Sequence, residues 1–252
     1  GNYLITYYNY LLAYDYYADM NIRYLKATGM VQAKGKGIIL VPEKRTLAIQ
    51  LTRQLESTEP LLKIYRILCA GSPLPTDNKD MANEVLNDLL ESALHYGIRY
   101  SLEGKQLDTP AQINQVRYEI EEQISHKKEE YYALRQADEW QEIAAYMDLI
   151  ASRKERLRID EDTELRIPRA EAPAYLEWSL WRAFLAIDNL VNKPYNVRRF
   201  NVDQDFMPVS TAPGNGADLI AEFDDKVIVI EVTLSESSRQ EAMEGEPVRR
   251  HV

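Results

Sequence analysis

Two carboxylates in the last third of the chain are placed to do chemistry together. Gly216-Ala217-Asp218-Leu219 precedes a charged turn, Asp224-Asp225-Lys226, and an apolar run ending in Ile230-Glu231-Val232-Thr233. Two strands joined by that turn bring Asp218 and Glu231 close. Carboxylates at adjacent strand ends offer hard oxygen ligands to Mg²⁺, the ion suited to phosphodiester hydrolysis. That reaction needs a water in line with the leaving oxygen and positive charge on the non-bridging oxygens. A metal held by Asp218, Glu231 and the carbonyl of Val232 supplies both. Strands also place ligands more rigidly than loops do. Asp218 taken alone is equally a turn or cap residue. Glu231 is harder to dismiss, because Val227-Ile228-Val229-Ile230 reads as a strand buried on both faces. A carboxylate ending such a strand is costly unless it is paired or metal-bound.

Three more groups are candidates for the same site. Glu177 stands on a preceding, mostly apolar helix and can support a ligand water or a second metal. Glu244 follows the second strand, and His251 can act as acid or base near a phosphate. Glu244 and His251 are about two helical turns apart and can share a face. Gly245 and Pro247 interrupt that segment, and Glu246 stands as the alternative to Glu244.

The elements around these residues divide the chain in three. In residues 1–58 a Tyr- and Leu-rich stretch, residues 1–20, reads as a helix and is followed by a short helix, residues 21–29, stopped at Gly29. Met30–Ala33 and Ile38–Val41 then read as strands joined by Lys34-Gly35-Lys36-Gly37, and Thr46–Leu55 as a returning helix. Helix, helix and basic ribbon make a winged-helix-like pattern. Arg23, Lys26, Lys34, Lys36, Lys44 and Arg45 are its candidate DNA contacts. The same unit also serves as simple packing, and a cluster of tyrosines is more often core or interface than a base-stacking platform.

Residues 59–165 read as helical. Met81–Tyr96 is amphipathic, Thr109 is the candidate N-cap of a helix opened by Pro110, and mixed charge from Ile113 to Arg158 marks solvated faces of a helical hairpin. Asp160-Glu161-Asp162-Thr163 reads as a polar hinge. In residues 166–252, Pro173–Val191 reads as helix. An extended segment near Val197–Val202, two strands and a partly helical end follow, in the order α-β-β-β-α.

Composition sets wider bounds. The 252 residues are 45% hydrophobic, enough for a sizeable core, and mean hydropathy is −0.43. No apolar run reaches membrane-spanning length. A single cysteine, Cys69, excludes an intrachain disulfide framework and fits a reducing, cytoplasmic setting. Three histidines argue against a multi-His zinc site. The net charge of −10 disfavours nucleic acid only if spread evenly, and the first segment is locally basic.

Gly214-Asn215-Gly216-Ala217-Asp218, Ile230-Glu231-Val232-Thr233 and Met243-Glu244-Gly245-Glu246-Pro247-Val248-Arg249-Arg250-His251 resemble the AlwI/MlyI/PleI-type family of type IIS restriction endonucleases and related nicking endonucleases. Tyr175-Leu176-Glu177-Trp178-Ser179-Leu180-Trp181-Arg182-Ala183-Phe184-Leu185 is similar to the helix opening their catalytic domain. The resemblance is sharpest over residues 168–252. It implies a bacterial or archaeal protein with winged-helix recognition modules, a helical linker and a Mg²⁺-dependent PD-(D/E)xK nuclease core. Such a protein cuts double-stranded DNA a short distance from an asymmetric site. Asp218 and Glu231 are then metal ligands, with Glu177, Glu244 and His251 as further members of the site. Thr233 stands where the wider superfamily usually has Lys, so another group must orient the water, with Glu244 or His251 the candidate. Family proteins extend past both ends of this sequence. The expectation is a piece covering part of recognition, the linker and most of the catalytic core, with an exposed strand edge. Double-strand cutting would need a homodimer or a second nuclease subunit.

The expected class is therefore mixed α+β, with a winged-helix-like module over 1–58, a helical linker over 59–165 and a restriction-endonuclease-like core over 166–252. The rival expectations are a non-catalytic DNA-binding or assembly protein with a decayed core, and a helical scaffold for protein contacts.

Overall fold

The computed structural model describes residues 18, 20–35, 37–54, 60, 62, 63, 66, 69–71, 74–161, 163–168, 170–188, 190–214 and 216–234. The chain forms two compact units, Gly1–Lys127 and Lys128–Val252.

In the first unit, helix α1 (residues 20–27) ends where Gly29 takes φ +71°, a left-handed conformation that costs glycine least. Strands β1 (Val31–Lys34) and β2 (Gly37–Leu40) pair antiparallel, with Val31 opposite Leu40. Helix α2 (Arg45–Gln54) docks on α3 (Lys79–His95) through polar contacts. Thr46 donates to Asp88 at 2.6 Å and Gln50 to Glu84 at 2.8 Å. Asn78 caps α3, its Oδ1 accepting from the N–H groups of Asp80 and Met81. Helix α4 (Pro110–Arg135) opens with a reciprocal cap. The Thr109 hydroxyl accepts the Gln112 N–H, and the Gln112 carbonyl accepts the Thr109 N–H. Ala82, Leu86, Leu89 and Ala93 of α3 and Ile113, Val116, Ile120 and Ile124 of α4 recur at three- and four-residue spacing and form this unit's core.

The second unit begins within α4. It continues through α5 (Trp140–Ala151), the hairpin β3 (Arg156–Arg158) and β4 (Glu164–Arg166), and helix α6 (Ala172–Asp188). A short turn, α7 (Pro194–Val197), and the hairpin β5 (Leu219–Glu222) and β6 (Val227–Ile230) complete it. Its core is aromatic: Tyr132, Tyr146, Tyr175, Trp178, Trp181 and Phe200 pack with Leu149, Leu165 and Leu219. Stacked and edge-on rings, such as Tyr146 on Trp178 at 5.1 Å, add to the area they bury. The two indole N–H groups are satisfied, Trp178 by the Phe206 carbonyl and Trp181 by that of Pro194.

Four local expectations are corrected. The supposed hinge Asp160–Thr163 is the turn of the β3–β4 hairpin, closed by Asp160 Oδ1 accepting the Thr163 N–H at 2.7 Å. Helix α6 stops at Asp188 rather than Val191, because the Asp188 carboxylate takes the N–H and side-chain amide of Asn192 and Leu190 turns to φ +62°. The charge run at the end of α4 is not wholly solvated, since Glu129 is 1% exposed. Strand β6 is not buried on both faces: Val227 and Ile228 are exposed, and pairing among the described residues is to β5 alone. The extended segment after α7 meets its neighbours at isolated bridges, Arg198 to Leu219 and Val202 to Pro208.

Candidate active site

Strand β5 is seated by Leu219 and Ala221, both at most 1% exposed, in the core of the second unit. That seating fixes Asp218 at the strand's start. The Asp218 N–H donates to the Ile230 carbonyl at 3.2 Å, and Asp218 Oδ2 accepts the Val232 N–H at 2.7 Å. The backbone of Asp218 thus holds the residue before Glu231, and its side chain holds the residue after. On the other side, the Asp218 carbonyl accepts the Arg199 N–H. Glu231 and Val232 are half-buried, and Thr233 is exposed.

Glu177 comes from α6, on the stripe that buries Ala174, Trp181 and Leu185. Its Oε2 accepts the Ala212 N–H at 2.7 Å, which fastens the 208–214 loop to the helix. Burial is the main force raising the Glu177 carboxyl, and the Ala212 hydrogen bond opposes it. The negative charges of Asp218 and Glu231 raise it further, leaving it at about 7. Helix α6 therefore places Glu177 within electrostatic range of the β5–β6 strand ends that carry Asp218 and Glu231. Among the described residues, no three His, Cys, Asp or Glu side chains converge tightly enough to enclose a metal by themselves. Glu244, Glu246 and His251 lie outside the described residues.

Two ion-paired arginines support the site, and neither was apparent in the sequence. Arg198 grips the buried Glu129 through Nε at 2.6 Å and Nη2 at 2.9 Å, and its backbone bridges to Leu219. Arg182 on α6 is itself buried. It reaches Gln136 and Glu142 at 2.6 Å and Glu139 at 2.8 Å, with its guanidinium 4.6 Å from the Trp178 ring centre. The Ala212 contact has no sequence signal at all, because a backbone N–H donates whatever side chain it carries.

In the first unit, Arg23, Lys26 and Lys34 lie on α1 and β1, and Arg45 is exposed at the start of α2. Arg45 also lines a cleft with Leu40, Pro42, Thr46, Ile49 and Asp88. Lys44 is bound to Glu121 of α4 at 2.7 Å. Lys36 lies outside the described residues. Among these, no helix is long and apolar enough to cross a membrane.

None of the curated proteins matches the chain. The sequence model of the AlwI restriction endonuclease family matches residues 3–252, nearly the whole length. With that match, the chain belongs to the AlwI restriction endonuclease family, and so to the site-specific DNA endonucleases.

Proposed function

We propose that the chain hydrolyses DNA phosphodiester bonds with Mg²⁺ at a short distance from its recognition site, as a type IIS or nicking endonuclease built on a PD-(D/E)xK core. The observation that carries this reading is Asp218 hydrogen-bonded to both neighbours of Glu231, with Glu177 close enough to feel both charges.

The donor set suits a hard divalent cation: two carboxylates on adjacent strands, with the Val232 carbonyl beside them. Asp218, Glu231 and that carbonyl would hold it, with water or phosphate oxygens completing the shell. When bound, Mg²⁺ supplies positive charge at the phosphate and an acidified water. The chain's own part is positional. Asp218 and Val232 lock the two strand ends, so the carboxylates keep one separation. Glu177, its carboxyl raised to about 7 mainly by burial, can take a proton from water or return one to a leaving oxygen. Its grip on Ala212 keeps the 208–214 loop beside the reacting groups. Glu244 or His251 remains the candidate for orienting the water in place of the usual Lys at Thr233.

In the first unit, helix α1, the β1–β2 ribbon and α2 support a winged-helix reading. Arg23, Lys26, Lys34, Lys36 and Arg45 would contact phosphates. Lys44, paired with Glu121, would contribute mainly to packing. A homodimer or second nuclease subunit would supply the other active site for double-strand cutting.

The test is Asp218→Asn and Glu231→Gln, assayed for plasmid cleavage with Mg²⁺ and for DNA binding in chelator. Both variants should lose cleavage and keep binding, and Mg²⁺ binding measured by calorimetry should weaken. Cleavage at the original rate in either variant overturns the assignment. A second reading, a DNA-binding protein with a decayed core, is favoured by Thr233 at the usual Lys position. It requires that the unaltered chain bind DNA without cutting it under any divalent ion.

A further inference from the structure

The β3–β4 hairpin carries a charge arrangement that folding alone does not favour. Its register sets Arg156 opposite Arg166, Leu157 opposite Leu165 and Arg158 opposite Glu164. Side chains alternate between the faces of a strand, and directly opposed residues share a face. Leu157 and Leu165 therefore turn into the aromatic core, where Leu165 is 5% exposed. Among the described residues of the two strands, Arg156, Arg158 and Arg166 share the solvent face with one acid, Glu164. That acid reaches Arg156 at only 3.9 Å.

Like charges directly opposite on a ribbon destabilise it. A neutral residue at 156 or 166 would serve the hairpin better. The approach to the ribbon shows a similar cost. Helix α5 ends with the Lys154 N–H on the Leu149 carbonyl and the Arg153 N–H on the Ile150 carbonyl. This pattern calls for a left-handed residue and is usually filled by glycine. Here Arg153 occupies it at φ +53° and is exposed. The opposed pair 156 and 166 and the left-handed position 153 thus all hold arginine, on one short stretch of surface.

We infer that this face of the β3–β4 ribbon is a second DNA-backbone contact, within the unit that carries the cleavage site and separate from the basic residues of the first unit. The inference rests on reading the chain as a DNA endonuclease. Guanidinium groups pair phosphate oxygens in a fork geometry, and a row of phosphates relieves the repulsion between Arg156 and Arg166. The acidic tip, with Asp160 and Glu161 exposed, stays off the duplex, so contact is made by the paired strands. The contact is sequence-independent.

The experiment compares the chain with Arg158→Gln, Arg166→Gln and the double variant. Binding to a short duplex of random sequence is followed by anisotropy in chelator, from about 50 to about 200 mM salt. Each substitution should weaken binding several-fold and lower the slope of log K against log salt by about 1. Arg166→Lys should retain most of the binding. The melting temperature of Arg166→Gln should be unchanged or raised. Unchanged affinity and slope in the double variant, beside a chain that binds with a clear salt slope, overturn the ribbon contact and leave the endonuclease reading standing. If the unaltered chain binds no duplex in a salt-sensitive way, both fall.

Discussion

Asp218 holds Glu231 from both sides: its N–H bonds the Ile230 carbonyl, and its Oδ2 accepts the N–H of Val232. The spacing of the two acids is therefore set by hydrogen bonds that Asp218 itself makes. Asn at 218 keeps an acceptor for Val232, whereas Ala does not. Asp218→Asn should unfold in urea close to the original midpoint, and Asp218→Ala should lose about 1–2 kcal/mol. Both should be inactive. Equal stability of the two would show that the Val232 bond does not hold the strand ends.

Glu177 makes folding depend on pH. Its carboxyl rises from 4.5 to about 7, so the folded chain keeps a proton that the unfolded chain releases. The stability tied to that proton is fully present below pH 4.5 and is lost as pH rises through 7. A tenfold difference in proton affinity is worth about 1.4 kcal/mol. The loss by pH 8 is therefore at most on the order of 3 kcal/mol, and less where solvent screens the neighbouring charges. Glu177→Gln, which still accepts from Ala212, should be more stable than the original chain at pH 8 in chelator and indistinguishable near pH 4.5. Mg²⁺ added at pH 8 should narrow the gap, since a nearby cation favours the charged acid. Parallel stability curves from pH 4.5 to 8 would show that Glu177 titrates as an ordinary carboxyl.

Breaking the Glu129–Arg198 pair should be costly. Glu129 is buried, and Arg198 spends two of its donors on it. Glu129→Ala should destabilise by about 3 kcal/mol or more, and Glu129→Gln by less. Cleavage should fall with it, because Arg198 also abuts Leu219, next to Asp218. Chemical denaturation and a cleavage time course report the two effects separately.

Arg182 is the corresponding anchor for α6. Arg182→Met fills similar space but strands the buried Gln136 carbonyl and leaves Glu139 and Glu142 to solvent. A loss of about 2–4 kcal/mol is expected by thermal unfolding. Arg182→Lys should recover only part of it, because an ammonium cannot reproduce the three-way fork.

The candidate site was legible where local rules govern it. A charged turn between two apolar runs marked the β5–β6 hairpin, and that hairpin brings Asp218 and Glu231 together. The apolar run of residues 173–191 placed Glu177 on a mostly buried helix, and Thr109-Pro110 marked the start of α4. What stayed hidden depends on contacts distant in sequence. Arg182 and Glu129 are charges in segments that otherwise read as apolar helix or solvated face, and only their partners make their burial tolerable. The β3–β4 ribbon has three residues per strand, too few for alternation to stand out among charged neighbours. Val227 and Ile228 are as apolar as a doubly buried strand requires, yet they are exposed, because periodicity reports composition and not the presence of a neighbour.

The Ala212 N–H gives the site an internal reporter. It is a main-chain proton lodged on the carboxylate that titrates near neutrality. Its amide resonance should move with the charge on Glu177, and its exchange with deuterium should quicken as that charge is lost. Proton uptake and ion binding at the candidate centre can therefore be followed at one backbone atom, with no substrate present and no side chain altered.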